Sequence, residues 1–381
     1  MNATTLTSTD LKKINRSKVF ENIYNNKITS RQTIATDLNL SLPTVNQNLK
    51  ELEEMGLIEK NGLYQSTGGR KAQMISCVHT ARIGIGVEIL KSISYISAID
   101  LYGHSLEESS LMLQFDNSEE CFRKLSDWIN QFIREIPYPE EHILGVGIGI
   151  QGLTSQDGKK ATYAEILGAT DMSLDSFSRY ISLPCILIHD SEAAAFAELW
   201  HQKDITDGVY VSLNRNLGGA VILNKHIYHG QEARSGVFEH MCMVPDGKPC
   251  YCGKKGCIEA YCSANSLKEL IKESGIEEDF NSFFNYLRHG DKIRRDIWTA
   301  YLKNLALAIS NIHTVLDNDV ILGGLVQTYI REEDITDLYH FVREYYPFPL
   351  HNFSIKPGIC GERSATIGCA LYYIDEFLKG I

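Results

Sequence analysis

Cys250-Tyr-Cys252-Gly-Lys-Lys-Gly-Cys257 places three thiols within eight residues, and this run narrows the possible folds more than any other stretch of the chain. Its two glycines let the backbone fold tightly around a centre, and His240 lies ten residues upstream. Three sulfurs and one imidazole complete a tetrahedral zinc shell, and a shell with no open position for water holds a structural ion rather than a catalytic one. The spacing therefore predicts a structural zinc on His240, Cys250, Cys252 and Cys257, with Cys242 the rival of His240 for the fourth position. Chance packing of thiols is the plainer alternative.

The surroundings favour metal over disulfides. The first twenty residues have no apolar core after their first charges, so they do not read as a secretory signal. The longest apolar stretch, 143–150, is interrupted by glycine and falls far short of the roughly 20 residues that cross a bilayer. The chain is thus expected in the cytoplasm and off the membrane, where thiols stay reduced. With 381 residues, 44% of them apolar, it can build two or three compact units.

Net charge divides those units. The whole chain carries −11, yet residues 1–75 hold ten Lys/Arg against seven Asp/Glu, which leaves −14 for the remainder. A small basic head on an acidic body can approach phosphates if the acidic part faces away.

Within that head, Val19, Phe20, Ile23 and Tyr24 recur at helical spacing and predict a first helix over 14–25. Thr29-Ser30-Arg31-Gln32 fits a capping box opening a second helix, with Ile34, Ala35 and Leu38 as its apolar face. Ser41 reads as the N-cap of a third helix, and Pro43 is tolerated in its first turn. Val45, Leu49 and Leu52 form the buried stripe of that helix, so Thr44, Asn46, Gln47 and Lys50 point outward. Such a helix meets base edges in the major groove with its N-terminal turns, where Asn and Gln pair bidentately with adenine.

Short strands over 57–60 and 63–65 around Asn61-Gly62 predict a hairpin wing. The order resembles a winged helix-turn-helix, with a three-helix protein-interaction module as the alternative. Contacts to double-stranded operator DNA are accordingly expected from Arg31, Ser41, Thr44, Asn46, Gln47 and Lys50. Arg70 and Lys71, on a Gly-Gly arm, either enter a minor groove or belong to a solvated linker.

From residue 82 onward, strands near 83–89, 93–100, 143–150, 185–189, 208–214 and 219–224 alternate with helices near 119–135 and 191–201. This is the pattern of an α/β domain in two lobes. The expected organisation is a head over 11–75, one lobe over 82–200 and a second over 201–381, with the last helix returning to the first lobe.

His240 with Cys250-x-Cys252-Gly-x-x-Gly-Cys257-x-Glu259 resembles the signature of the ROK family of repressors and sugar kinases. Leu183-Pro184, His189-Asp190, the Ala193–Ala195 run, Val320 to Gly324 and Ala365 to Ala370 extend the likeness over about residues 82–375. The head with its Gly-Gly-Arg linker is similar to the family's xylose-repressor branch. The resemblance implies a two-lobed actin-like (ribonuclease H-like) body, assembly as homodimers or tetramers, and a sugar or related small molecule bound between the lobes. It assigns effector contacts to His189, Asp190 and Glu259.

For kinase activity the family needs Asp-x-Gly-Gly-Thr, and the matching segment here is Gly86-Val87-Glu88-Ile89-Leu90. The glycine-rich second phosphate motif reads Asn214-Arg215-Asn216-Leu217-Gly218-Gly219-Ala220. Side chains and an anionic group thus stand where backbone N–H groups would cradle phosphate, so the chain is expected to be a regulator and not an enzyme. An ATP-dependent sugar kinase with an extra domain is the competing reading. In the sugar motif Gly-Glu-x-Gly-His, this chain has Gly236-Val237-Phe238-Glu239-His240, which removes a carboxylate at Val237. The bland readings are a helix cap for Asp190 and a surface helix residue for Glu259.

Overall fold

The computed structural model describes residues 8–63 and 72–381. The head opens with three helices, Ser8–Asn26, Arg31–Leu38 and Leu42–Glu54. The first begins earlier than apolar periodicity predicts. Its leading turns are polar and are held by contacts distant in sequence: Lys12 pairs with Glu51, and the Arg16 guanidinium donates to the Ile381 carbonyl at 3.1 Å. The second helix is capped by Ser30, whose Oγ accepts from Thr33 N at 3.2 Å. The expected Thr29–Gln32 box does not form, because Thr29 is taken into the short strand Ile28–Thr29. Asn39, with φ of 52°, turns the chain toward the third helix.

The wing also departs from expectation. Ile58–Leu63 is one strand that runs straight through Asn61-Gly62, and its antiparallel partner is Gln73–Cys77. Gly62, at φ of 71°, lies where the register slips by one residue between Lys60 and Leu63. The Asn-Gly pair therefore serves as a bulge rather than a turn. Ile28–Thr29 completes a three-stranded sheet on the other side of Gln73–Cys77.

The body contains two five-stranded sheets with one topology. In the first, the meander Ile83–Ile89, Ser94–Ile99, Ser105–Leu111 is extended in parallel by Ile143–Ile150 and then Cys185–His189. In the second, the meander Gly208–Leu213, Leu217–Leu223, His226–Tyr228 is extended in parallel by Val320–Gly323 and then Ile355–Pro357.

Strand Ile143–Ile150 shows how sequence sets these layers. Val146, Ile148 and Ile150 alternate onto the face covered by Leu125, Ile129 and Phe132 of helix Glu119–Glu135. The intervening glycines face the last helix, Ser364–Gly380, which crosses back onto this sheet. A methyl at Gly147 would stand 2.1 Å from the Cys369 carbonyl, and one at Gly86 would stand 1.8 Å from that of Thr366. The helix backbone therefore rests directly on the sheet.

Head and body share one core. Val19, Phe20, Ile23, Ile34, Leu49 and Leu52 pack in a cluster with Ile99, Leu101, Trp200, Leu371, Ile374 and Ile381. Tyr24 adds a hydrogen bond from its hydroxyl to the Leu101 carbonyl at 2.7 Å and stacks on Tyr102 at 4.8 Å. Helix Asp190–His201 lies at the centre of the molecule. Its Ala194, Ala195 and Leu199 pack on Tyr210, Ile222 and Ile321 of the second sheet, while Ala197 and Trp200 join the core shared with the head. Among the described residues, no helix is long and apolar enough to cross a membrane.

Candidate functional site

The third helix of the head presents the outward face expected of it. Ser41 Oγ accepts from Thr44 N at 3.3 Å, and Val45, Leu49 and Leu52 are buried. Asn46, Gln47 and Lys50 are exposed, Thr44 is half-buried, and Ser41 is exposed but occupied with capping. Arg31 reaches across from the second helix to Asn46 Oδ1 at 3.3 Å, which brings these two side chains together. Arg70 and Lys71 lie outside the described residues. Asn48, not anticipated, is buried and donates to the Thr44 carbonyl at 2.8 Å.

The cysteine run folds as a closed loop. Cys250 N donates to Lys254 O at 2.8 Å, Gly253 N to Cys250 O at 3.0 Å, and the backbones at Cys242 and Cys257 pair in a single antiparallel β-bridge, both thiols free. The ligand atoms of His240, Cys250, Cys252 and Cys257 all lie within 4.8 Å of one another. Cys250 Sγ stands 3.7 Å from His240 Nδ1, and Cys252 Sγ stands 3.8 Å from Cys257 Sγ. Metal–sulfur arms of about 2.3 Å place the corners of a regular tetrahedron about 3.8 Å apart, so the four donors fit one ion. Cys242 is exposed and lies outside the cluster.

Next to this loop, a cavity of about 100 Å³ opens between the two sheets. Gln151 follows strand Ile143–Ile150, and His189-Asp190 ends strand Cys185–His189, so one wall is the carboxyl edge of two parallel strands. That edge is where open α/β sheets bind ligands. The opposite wall is Ser212, Asn216, Val237, Glu239, His240 and Tyr251. His240 thus belongs to both the metal cluster and the cavity.

The carboxylates here sit in low dielectric. Asp190 Oδ1 accepts from Ser191 N at 2.7 Å and lies 3.4 Å from His189 Nε2, and burial raises its pKa. Burial likewise pushes Glu239 up to about 8. Glu259 is buried, not on the surface, and does not line the cavity. It stands behind Asn216, accepting from Asn216 Nδ2 at 2.9 Å and Leu217 N at 2.6 Å, and burial raises it to about 7. Sequence reasoning missed Gln151, Asn216, Glu239 and Tyr251. Gln151 could have been found from its place after a strand, and Glu239 from its place beside His240.

The segments matched to phosphate motifs carry Glu88 and Asn214. Glu88 is buried, with a pKa pushed up to about 8 by burial and then by the Asp190 carboxylate. Asn214 Oδ1 accepts from Leu325 N at 2.9 Å, which plugs the loop against Gly323-Gly324.

The profile of the ROK family matches residues 86–374, three-quarters of the chain. The chain belongs to the ROK family. A winged helix-turn-helix DNA-binding profile matches residues 14–59 of this ROK protein. Relatives aligned along its whole length include the xylose repressor of Bacillus subtilis (strain 168), 24% identical over 386 residues and covering 98% of both chains. Another is the xylose repressor of Caldicellulosiruptor bescii, 23% identical over 393 residues and covering 97% of both. Among solved structures, a ROK family transcriptional regulator described as a homolog of the E. coli MLC protein superposes with a TM-score of 0.79, at 18% identity and 97% coverage of both chains. A ROK glucokinase from Streptomyces griseus, in complex with glucose and AMPPNP, superposes at 0.67 and 22% identity, covering 76% of this chain and 98% of its own. The regulators match nearly the whole chain, whereas the kinase covers 76% of it.

Proposed function

We propose that this ROK protein is a ligand-gated transcriptional repressor acting on double-stranded DNA in the cytoplasm. The observation that carries the reading is the shared core of head and body, because it ties the DNA-facing helix to the lobe that frames the cavity. The working units are a head over 11–75 and lobes over 82–200 and 201–381. Arg31, Thr44, Asn46, Gln47 and Lys50 contact the operator, with Ser41 holding the helix end; Arg70 and Lys71 extend that contact. A sugar or sugar derivative enters between the lobes. His189 and Asp190 meet it directly, and Glu259 acts through Asn216.

Helix Asp190–His201 supplies the coupling in this reading. It begins at the cavity and, about 15 Å further on, its Trp200 Nε1 donates to the Tyr102 carbonyl at 3.2 Å. Tyr102 stacks on Tyr24 of the head. A ligand that tilts this helix changes the spacing of two recognition helices in a homodimer or tetramer, and operator affinity falls.

The metal is structural zinc on His240, Cys250, Cys252 and Cys257, which fixes the cavity wall that carries His240 and Tyr251. Catalysis is not part of the proposal, since Glu88 and Asn214 occupy the places where phosphate would be cradled. Sequencing of DNA that co-purifies with the chain, repeated across a panel of sugars, tests the reading. A defined operator released by one sugar supports it. Sugar-dependent ADP formation by the purified chain overturns it.

A further inference from the structure

We propose that Glu239 is a ligand-contacting residue that selects a donor-rich sugar bearing no anionic group. The inference deepens the proposed ligand gating and rests on the cavity being the effector site.

Glu239 lines the cavity and is 7% exposed. Its Oε2 is buried without a hydrogen-bond partner among the described residues. A buried carboxylate oxygen left unpaired is costly, and a donor arriving from the cavity removes that cost. The side chain is also held in place. It sits in the tight turn Phe238–His240, where Phe238 N donates to Gly236 O at 2.8 Å and Met241 N to Phe238 O at 3.0 Å. The Phe238 ring closes over Gly219 so tightly that a methyl there would lie 2.4 Å from Cδ2.

The charge inventory sets the ligand class. Glu165, Asp190 and Glu239 line the cavity, Glu259 stands behind Asn216, and no Lys or Arg among the described residues lines it. A phosphate or carboxylate on the ligand would meet acidic side chains with no Lys or Arg among the described residues to pair with it. Hydroxyl and amine groups instead supply the donor that Glu239 Oε2 lacks. Relative to the family motif, Val237 gives up a carboxylate and Glu239 introduces one two residues later, where the motif has glycine. The acceptor is moved along the turn rather than lost, and the ligand must present its donor at the new place.

Calorimetric titration of the full zinc-loaded chain with glucose, xylose, glucosamine and glucose 6-phosphate tests this. A neutral or amino sugar is expected to bind and glucose 6-phosphate to bind far more weakly. E239Q, which keeps the shape and halves the acceptor capacity, should weaken the bound sugar about ten- to hundredfold. E239D, which withdraws the carboxylate by one methylene, should also weaken it and serves if E239Q does not fold, as judged by circular dichroism. Tightest binding of the 6-phosphate, or affinities in both variants within about twofold of the parent, overturns the inference and leaves the regulator reading standing. Failure of all four probes to bind overturns the ligand reading, and this inference with it.

Discussion

The two seams of the molecule are built differently. Between head and first lobe, apolar side chains from both sides form one core, and two hydrogen bonds (Arg16 to Ile381, Tyr24 to Leu101) fasten its edge. Between the lobes there is an acid-lined cavity, an alanine-rich helix, and polar contacts such as Gln156 Nε2 to the Gly230 and Gln231 carbonyls, each at 3.3 Å. A packed core resists sliding, since its parts interlock. Small side chains and a cavity resist it less. If the contrast governs motion, head and first lobe should move as one body, and a ligand should act by shifting the second lobe against them.

The harshest way to break this comparison is to remove the proposed zinc, whose four candidate ligands all lie on the second lobe's side of the cavity. Structural zinc in small modules contributes an apparent 10–16 kcal/mol or so to folding. Chelation or C252S should abolish sugar binding and lower the melting temperature by many degrees. Metal analysis by mass spectrometry should fall from one zinc per chain to none. Full zinc occupancy in C252S would remove Cys252 from the site.

Next in size is L371A, at a fully buried position in the head–lobe core. The deletion should cost about 2–5 kcal/mol, read by urea unfolding. Head and first lobe should still melt together. An early transition confined to the head, in either parent or variant, would show that this seam is no tighter than the other.

How much of this was legible beforehand depended on the range of the interactions. Strands such as 83–89 and 143–150 and helix 119–135 announce themselves through local periodicity, and the structure has them at Ile83–Ile89, Ile143–Ile150 and Glu119–Glu135. The four metal donors are close in sequence, so spacing alone groups them. The wing misled because an Asn-Gly pair satisfies a bulge as readily as a turn, and its true partner, Gln73–Cys77, lies ten residues downstream of Leu63. The cavity was harder still. Asn216, Glu239 and Tyr251 meet Gln151 only through the packing of two sheets, and Glu259 appeared as a direct contact because sequence cannot show that Asn216 stands in front of it.

A gentler probe asks whether the recognition surface is separate from the cavity. N46A and Q47A should each weaken operator binding by about 1–3 kcal/mol if they read base edges, measured by fluorescence anisotropy. Sugar affinity should be unchanged, because these side chains face away from the core that joins head to body. A parallel loss of sugar affinity would mean that the head seam yields as the lobe seam does.

The mildest test sits on the lobe seam itself. His229, just past the second sheet's edge strand His226–Tyr228, places Nδ1 3.1 Å from both carboxylate oxygens of Glu192 on the central helix. The hydrogen bond to Glu192 raises the histidine's pKa above its ordinary 6.5, and burial offsets part of that rise. A group whose folded pKa is raised contributes stability that is complete below its unfolded value and disappears as pH climbs through the folded one. The imidazole is half exposed, so the contribution should stay under about 1 kcal/mol. The difference in melting temperature between parent and H229Q should therefore be largest near pH 5.5 and shrink toward pH 8. Because the pair bridges the lobes, its protonation also makes the second lobe harder to move, so sugar-induced operator release should need more sugar at the acidic end in the parent but not in H229Q. A melting difference that widens with pH would mean that the histidine is held neutral, and that this seam is closed by something other than charge.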